Sequence, residues 1–336
     1  MSSSAKKPPT LRTIAEITGL SLSTVSLSLR DGSRLRKETR EKVARAAAEI
    51  GYVPNRAGVR LRTGQTNVLT LILAPQRHNV DYTRILIGGI GAHIADTRYH
   101  LNVIPEMDPD APMDAVQYVM RNRTSDGIIL THTSAHDPRV EMLMEAGFPF
   151  VCHGRTAYSA PHAFADFHVE RFVALAVARM LSRGRRRFLL VSRDTDTMNF
   201  QNTVAAFHKA MDDAGLTGDV FTDHDCLSAT IRTRDHARRL PRGAEMPDAI
   251  ICDNEMNALS MVGGLSDCGL TLGDGFDLIC KETTDILPAV YPKMDTLAED
   301  LFATGQELAR LMVAALDGVP AASCQTLLDP LPHWRA

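Results

Sequence analysis

The sequence predicts an α/β protein: an N-terminal all-α unit with a helix-turn-helix, then a two-lobed domain of doubly wound parallel sheets. Three observations carry that expectation. Residues 10–29, TLRTIAEITGLSLSTVSLSL, pattern as two short helices around a glycine turn. From Asn67 onward, short apolar runs alternate with longer amphipathic segments in two successive rounds, the pattern of parallel strands joined by covering helices. Charge divides at the same place: residues 1–66 hold 13 Lys or Arg against 5 Asp or Glu, and the remainder 24 against 35. A basic module on an acidic body is the layout of a nucleic-acid binder with a separate sensing or catalytic unit.

In the first helix Leu11, Ile14, Ala15 and Thr18 share one face, and Gly19 stands where a left-handed stop is needed. Ser21 can cap the second helix by accepting an orphan amide hydrogen bond. Val25 and Leu29 point back toward the first helix, which leaves Ser23, Ser26 and Arg30 facing outward. A loop from Asp31 to Arg36 leads to a third helix ending at Ile50, with Val43, Ala47 and Ile50 as its apolar stripe. Arg34, Arg36, Lys37, Arg40 and Lys42 crowd its start, where positive charge opposes the helix dipole; neutralised DNA phosphates would account for them.

Residues 52–66, YVPNRAGVRLRTGQT, hold a segment too short to be helical by itself in water. It could fold against a second copy in the DNA minor groove, with Leu61 as an apolar wedge, or it could be a plain linker. In the body, strands are expected over residues 68–74, 101–105, 127–131 and 148–152, then 187–191, 220–222, 249–252 and 277–280. Helices are expected over 82–98, 115–122, 139–145, 172–182, 203–214, 231–240 and 258–268. Two such rounds imply two lobes with a cleft at the strand ends between them.

With 44% apolar and 23% charged residues, the composition is that of an ordinary soluble globular protein. No apolar run approaches the roughly 20 residues that span a bilayer, and MSSSAKKPPT lacks a signal-peptide core. Six scattered cysteines without a CxxC pair read as reduced thiols, which places the protein in the cytoplasm. His132 and His136 are four apart with no third ligand evident, so no metal is expected. There is no GxSxG, Walker loop or HExxH, and Gly88-Gly89-Ile90-Gly91 fails the dinucleotide spacing. Neither cofactor nor catalysis is expected; the alternative is a sugar-binding or sugar-processing enzyme with an incidental basic N-terminus.

The first unit resembles the lactose-repressor (LacI/GalR) family of bacterial transcription regulators. The likeness rests on Leu11-Arg12-Thr13-Ile14-Ala15, Gly19-Leu20-Ser21, Ser23-Thr24-Val25-Ser26, Thr39-Arg40-Glu41-Lys42-Val43 and Gly51-Tyr52-Val53-Pro54-Asn55, continued by Leu61 and Gly64 to Thr66. The body resembles the family's effector domain, similar in fold to periplasmic sugar-binding proteins, through Ser125-Asp126-Gly127-Ile128-Ile129, Gly147-Phe148-Pro149-Phe150-Val151, His153-Gly154-Arg155, Gly184-Arg185-Arg186-Arg187 and Cys252-Asp253-Asn254-Glu255. Asp295-Thr296 with the following helix resembles the closing crossover. The resemblance implies a headpiece over 1–53, a hinge over 54–66 and an effector and dimerisation domain over 67–336. Lobe 1 would take about 67–165 plus 295–320, and lobe 2 about 166–294 plus 321–336.

It further implies a homodimer on near-palindromic double-stranded operator DNA, most simply a repressor, responding to a small-molecule effector, a sugar. Thr10, Leu22, Ser23, Thr24, Ser26, Leu27, Arg30, Arg34, Tyr52, Asn55, Arg56 and Leu61 are the expected DNA contacts. Leu27 stands where relatives usually carry a guanine-reading arginine, and Leu22 could equally pack inward. Gly58 and Val59 weaken a hinge helix, glycine by about 1 kcal/mol. The expected effector contacts are Tyr82, Arg155, Asp166, Thr203, Asn254, Glu255, Lys281 and Glu282. Tyr82 could instead be a surface residue, Asp166 only a helix cap, and Lys281–Glu282 a surface pair. Thr203 replaces a customary arginine, and Lys281 could supply the missing donor. The lysine within CKETT resembles a subset of the family tied to disaccharide uptake. The C-terminal SCQTLLDPLPHWRA lacks the heptads of a tetramerising coiled coil.

Overall fold

The computed structural model describes residues 9–29, 35–52, 60, 64–73, 80–106, 111, 113–193, 196–223 and 229–335. The chain divides into two compact units, Met1–Thr66 and Asn67–Ala336. In the first, α1 (Leu11–Thr18), α2 (Leu22–Ser28) and α3 (Lys37–Glu49) close on a small core of Ile14, Val25, Val43, Ala46 and Ala47. Gly19 is left-handed at φ +66° and ends α1. Ser21 caps α2, its Oγ accepting from the Thr24 amide at 3.1 Å. Lys42 does structural work: its ammonium donates to the Thr18 carbonyl at 2.8 Å, so one of the cations expected at phosphate instead closes the open end of α1.

The second unit contains two six-stranded sheets. The first runs β11-β5-β4-β3-β1-β2 and is wholly parallel: β1 (Val68–Leu73), β2 (His100–Pro105), β3 (Gly127–Thr131), β4 (Phe150–His153), β5 (Ala163–Phe167) and β11 (Gln325–Leu328). The second runs β12-β10-β9-β8-β6-β7: β6 (Phe188–Arg193), β7 (Gly218–Asp223), β8 (Ala249–Cys252), β9 (Asp277–Glu282) and β10 (Asp295–Ala298) are parallel, and β12 (Leu331–His333) is antiparallel to β10. Strands such as Gly127–Thr131 and Ala249–Cys252 are buried at every position, because helices cover both faces.

On the first sheet, α4 (Val80–Ile94) and α12 (Leu301–Leu316) pack on one face, and α5 (Asp114–Asn122) and α6 (Pro138–Glu145) on the other. On the second sheet, α7 (Val169–Ser182) and α8 (Met198–Ala214) cover one face. Helices α9 (Ala229–Arg239), α10 (Glu255–Ser266) and α11 (Ile286–Val290) cover the other. Gly89 and Gly305 are where α4 and α12 touch: a Cβ on Gly89 would run into the Phe302 carbonyl, and one on Gly305 into that of Leu86. The glycine cluster that failed as a nucleotide fingerprint thus has a packing role. No helix among the described residues is long and apolar enough to cross a membrane.

The crossings between the lobes differ from the expected ones. Asp295–Ala298 belongs to the second sheet and Gln325–Leu328 to the first, the reverse of the boundaries expected from sequence. Residue 166 falls inside β5 rather than opening the second lobe. The chain therefore crosses at His168, at Glu299–Asp300 and at Asp329–Pro330, and His168 Nδ1 meets Asp329 Oδ1 at 2.8 Å. The C-terminal segment expected to be a tail supplies an edge strand to each sheet. These two strands, QTLL and LPH, are only four and three residues long and carry exposed positions, so no apolar run announced them.

Candidate functional site

In the headpiece, Thr10 is exposed and caps α1, its Oγ1 accepting from the Thr13 amide at 3.3 Å while its own amide donates to Thr13 Oγ1 at 3.1 Å. Leu22, Ser23 and Leu27 are exposed, Thr24 and Ser26 half-buried. Leu22 does not pack inward; Val25 and Ser28 do. Tyr52 is half-buried against the headpiece core. Arg30, Arg34, Asn55, Arg56 and Leu61 lie outside the described residues.

In the second unit a cavity of about 460 Å³ opens at the C-terminal ends of the strands, within the roughly 300–1,000 Å³ of small-molecule sites. Tyr82, Arg155, Asp166, Asn254, Glu255 and Lys281 line it. Thr203 does not: it is buried in α8, its hydroxyl turned back to the Asn199 carbonyl at 2.7 Å. Glu282 does not either. Side chains alternate along a strand, so with Lys281 turned to the cavity Glu282 faces away, and its Oε2 accepts from Thr296 Oγ1.

The expected Lys281–Glu282 couple is therefore replaced by another. Lys281 Nζ meets Glu299 Oε2 at 3.0 Å, and Glu299 Oε1 lies 3.6 Å from His153 Nε2. His153 Nδ1 is 2.5 Å from the Tyr82 hydroxyl, and the two rings stack at 5.7 Å. His132 sets its edge against Tyr82 at 5.4 Å. A polar chain thus runs from β9 through the crossing residue Glu299 to β4 and α4, linking both lobes across the cavity floor. Arg155 makes a second link, from its Nε to Asp166 at 2.8 Å and from its Nη atoms to Glu170 on α7 at 2.8 and 3.1 Å.

The opposite wall is prearranged by hydrogen bonds. Asp253 accepts from Ser192 Oγ (2.5 Å), the Arg193 amide (3.1 Å), Asn254 Nδ2 (2.6 Å) and Asn257 Nδ2 (3.2 Å). Asn254 caps α10 through the Asn257 amide at 2.9 Å. Glu255 Oε1 accepts from the amides of Thr283 and Thr284 at 2.6 and 2.9 Å. Asp81, Arg193, Phe200, Met256 and Ile286 also line the cavity. Sequence reading missed His132, His153, Arg193, Asp253 and Glu299. His153 and Asp253 stood inside quoted motifs, but only the crossing brings Glu299 to them.

Burial, and then the charges of His153 and Lys281, push the His132 imidazole down to about 3, so it is neutral and acts as a ring with a polar edge. Burial, with Glu299 and Asp166 nearby, pushes the Tyr82 phenol up. Burial alone would raise the Glu299 carboxyl, but Lys281 and His153 outweigh it and hold it at about 2. Its folded value lies below its ordinary 4.5, so the stability it contributes is present above about pH 4.5 and is lost as pH falls toward 2. Native protein should accordingly melt well above Glu299→Gln at pH 6, with the gap closing as pH drops through 4.5. A gap independent of pH in thermal melts would refute that role. No group of His, Cys, Asp and Glu among the described residues is arranged to hold a metal.

Two family models match the chain. "Bacterial regulatory proteins, lacI family" covers residues 10–55, and "Periplasmic binding protein-like domain" covers residues 177–336. The HTH-type transcriptional regulator AglR of Rhizobium meliloti (strain 1021) is 28% identical over 320 residues, 92% of this chain and 88% of that protein. Among solved structures, the lac repressor dimer bound to operator and the anti-inducer ONPF superposes with a TM-score of 0.80 at 19% identity, covering 98% of each chain. The transcriptional regulator CelR–cellobiose complex superposes with a TM-score of 0.71 at 21% identity, covering 97% of this chain and 99% of that one. At these identities the two structures establish the fold.

Proposed function

This chain belongs to the LacI family of bacterial regulatory proteins, and from that premise we propose that it is a homodimeric, sugar-responsive transcriptional repressor of the cytoplasm. The observation that carries the reading is the pairing of a self-contained helix-turn-helix unit with a separate two-sheet unit whose cavity is bridged by both lobes. In the dimer, each α2 enters a major groove, and the two-fold axis makes the operator near-palindromic. The hinge around Leu61 adds an apolar contact in the minor groove. Thr10, Arg30, Arg34, Tyr52, Asn55 and Arg56 supply further DNA contacts in this reading.

The effector is a neutral sugar of disaccharide size, the class bound in the CelR–cellobiose complex. Asp81, Asp166, Asp253, Glu255 and Glu299 line the cavity against Arg155, Arg193 and Lys281. That surplus of carboxylates repels a sugar phosphate yet offers acceptors to hydroxyl groups, and Tyr82 and Phe200 provide apolar surface for a sugar ring. Effector binding that shifts the lobes changes DNA affinity, and by linkage DNA changes effector affinity equally. Glu299 is pushed down, which does not suit it to the general-acid role of a glycosidase, where the pKa must be raised.

The test is a thermal-shift screen of the full-length protein against a panel of mono- and disaccharides, followed by DNA-binding titrations with the hit. A native-state ligand at 100 times its Kd stabilises by about 2.7 kcal/mol. Lys281→Met should weaken that ligand roughly 10- to 100-fold, the worth of a charge-assisted hydrogen bond. Thr203→Val should leave it unchanged. Equal affinity in native and Lys281→Met proteins would remove Lys281 from the site; turnover of a sugar without DNA binding would favour the enzyme.

A further inference from the structure

The outward face of α2 has no side chain able to grip a base edge in a bidentate manner. At 100° per residue, Leu22, Ser26, Ser23 and Leu27 follow one another round a single sector, and the buried Val25 and Ser28 occupy the other side. The helix, LSTVSLS, carries neither charge nor carboxamide, although Arg12, Arg36, Lys37 and Arg40 of the same unit are exposed. Leu22 is 53% and Leu27 38% exposed. Two exposed leucines bordering a sector whose middle is serine, with exposed cations elsewhere in the same unit, separate two tasks: the cations hold phosphates and the sector of α2 meets base edges.

Among base pairs, only T·A presents an apolar group in the major groove, the thymine C5-methyl. The hydroxyls of Ser23 and Ser26 can donate to or accept from any base, so discrimination falls to the leucines. We propose that Leu22 and Leu27 make α2 a reader of thymine methyl groups, so that the contacted positions of each half-site are specified as T·A pairs. This rests on the headpiece binding duplex DNA, as proposed above, and names the chemical group that it reads.

The experiment begins with the full-length protein selecting its preferred duplex from a randomised pool at fixed salt. Each thymine of the selected half-site is then replaced by deoxyuridine, which lacks only the methyl. Expected is a loss of about fourfold at one or two positions per half-site, the ~0.8 kcal/mol of one buried methyl group. Leu27→Ala or Leu22→Ala should bind the thymine and deoxyuridine duplexes equally at the corresponding position. Both leucines are exposed, so the alanine variants keep the headpiece core. Selected duplexes that lose nothing on deoxyuridine substitution, or the same loss persisting in both variants, would overturn the inference. A pool from which no sequence is enriched would instead overturn the DNA-binding function.

Discussion

Removing residues 1–66 should abolish sequence-specific DNA binding while leaving the sugar-induced rise in melting temperature intact. The loss expected is about 1,000-fold or more, the usual margin between specific and non-specific binding, because the excess positive charge and the reading helix leave together. The remainder keeps both sheets, their covering helices and the whole cavity lining, and it forms a compact unit by itself. Its surplus of 35 acidic over 24 basic residues repels a polyanion. The measurement is fluorescence anisotropy on the selected operator at two salt concentrations, with thermal shift in parallel. Undiminished affinity in the truncated protein would show that the body itself grips DNA.

Replacing Arg139 by methionine should lower the unfolding free energy by about 3–5 kcal/mol, the penalty for stripping one partner from a buried ion network. Arg139 is nearly inaccessible, as are its partners Glu106 and Asp137. Its Nη1 donates to both Glu106 oxygens at 2.8 and 2.9 Å, and its Nε and Nη2 grip Asp137 at 3.0 and 2.7 Å. Burial opposes its charge, but the two carboxylates more than offset that and push the guanidinium pKa up. Methionine would leave both carboxylates buried without a cation. Nη2 also holds the carbonyls of Thr131 and His132. His132 sits at a left-handed φ of +52°, so the turn carrying it into the cavity depends on this arginine. Urea titration should show a lower midpoint at an unchanged slope, with Arg139→Lys intermediate. A change under 1 kcal/mol would mean that the network is dispensable.

Both predictions show how far local pattern reaches. The helix-turn-helix is legible because its determinants are short-range: a cap, a left-handed glycine and apolar side chains three or four apart. Strands β1, β3 and β8 are legible because they are buried on both faces and read as unbroken apolar runs. Asp166 breaks the run of β5, and β11 and β12 are short edge strands, so their existence depends on neighbours far along the chain. Thr203 was expected in the cavity from its position in a motif, yet a helix turn decides where its hydroxyl points. Arg139 gave no signal at all: Asp137 is only two residues away, but the second carboxylate that makes this a buried network, Glu106, is 33 residues away.

Sequence alone determined the class of this protein, because helix periodicity, strand burial and the division of charge are written in consecutive residues. The family resemblance placed Tyr82 and Arg155 in the cleft, and the convergence of strand ends in a doubly wound sheet placed Asn254, Glu255 and Lys281 there. Tertiary structure alone decided which charges are partners. Glu299 reaches Lys281 and His153 only because the chain crosses between lobes at that residue, and no spacing along the sequence encodes a distance closed by folding.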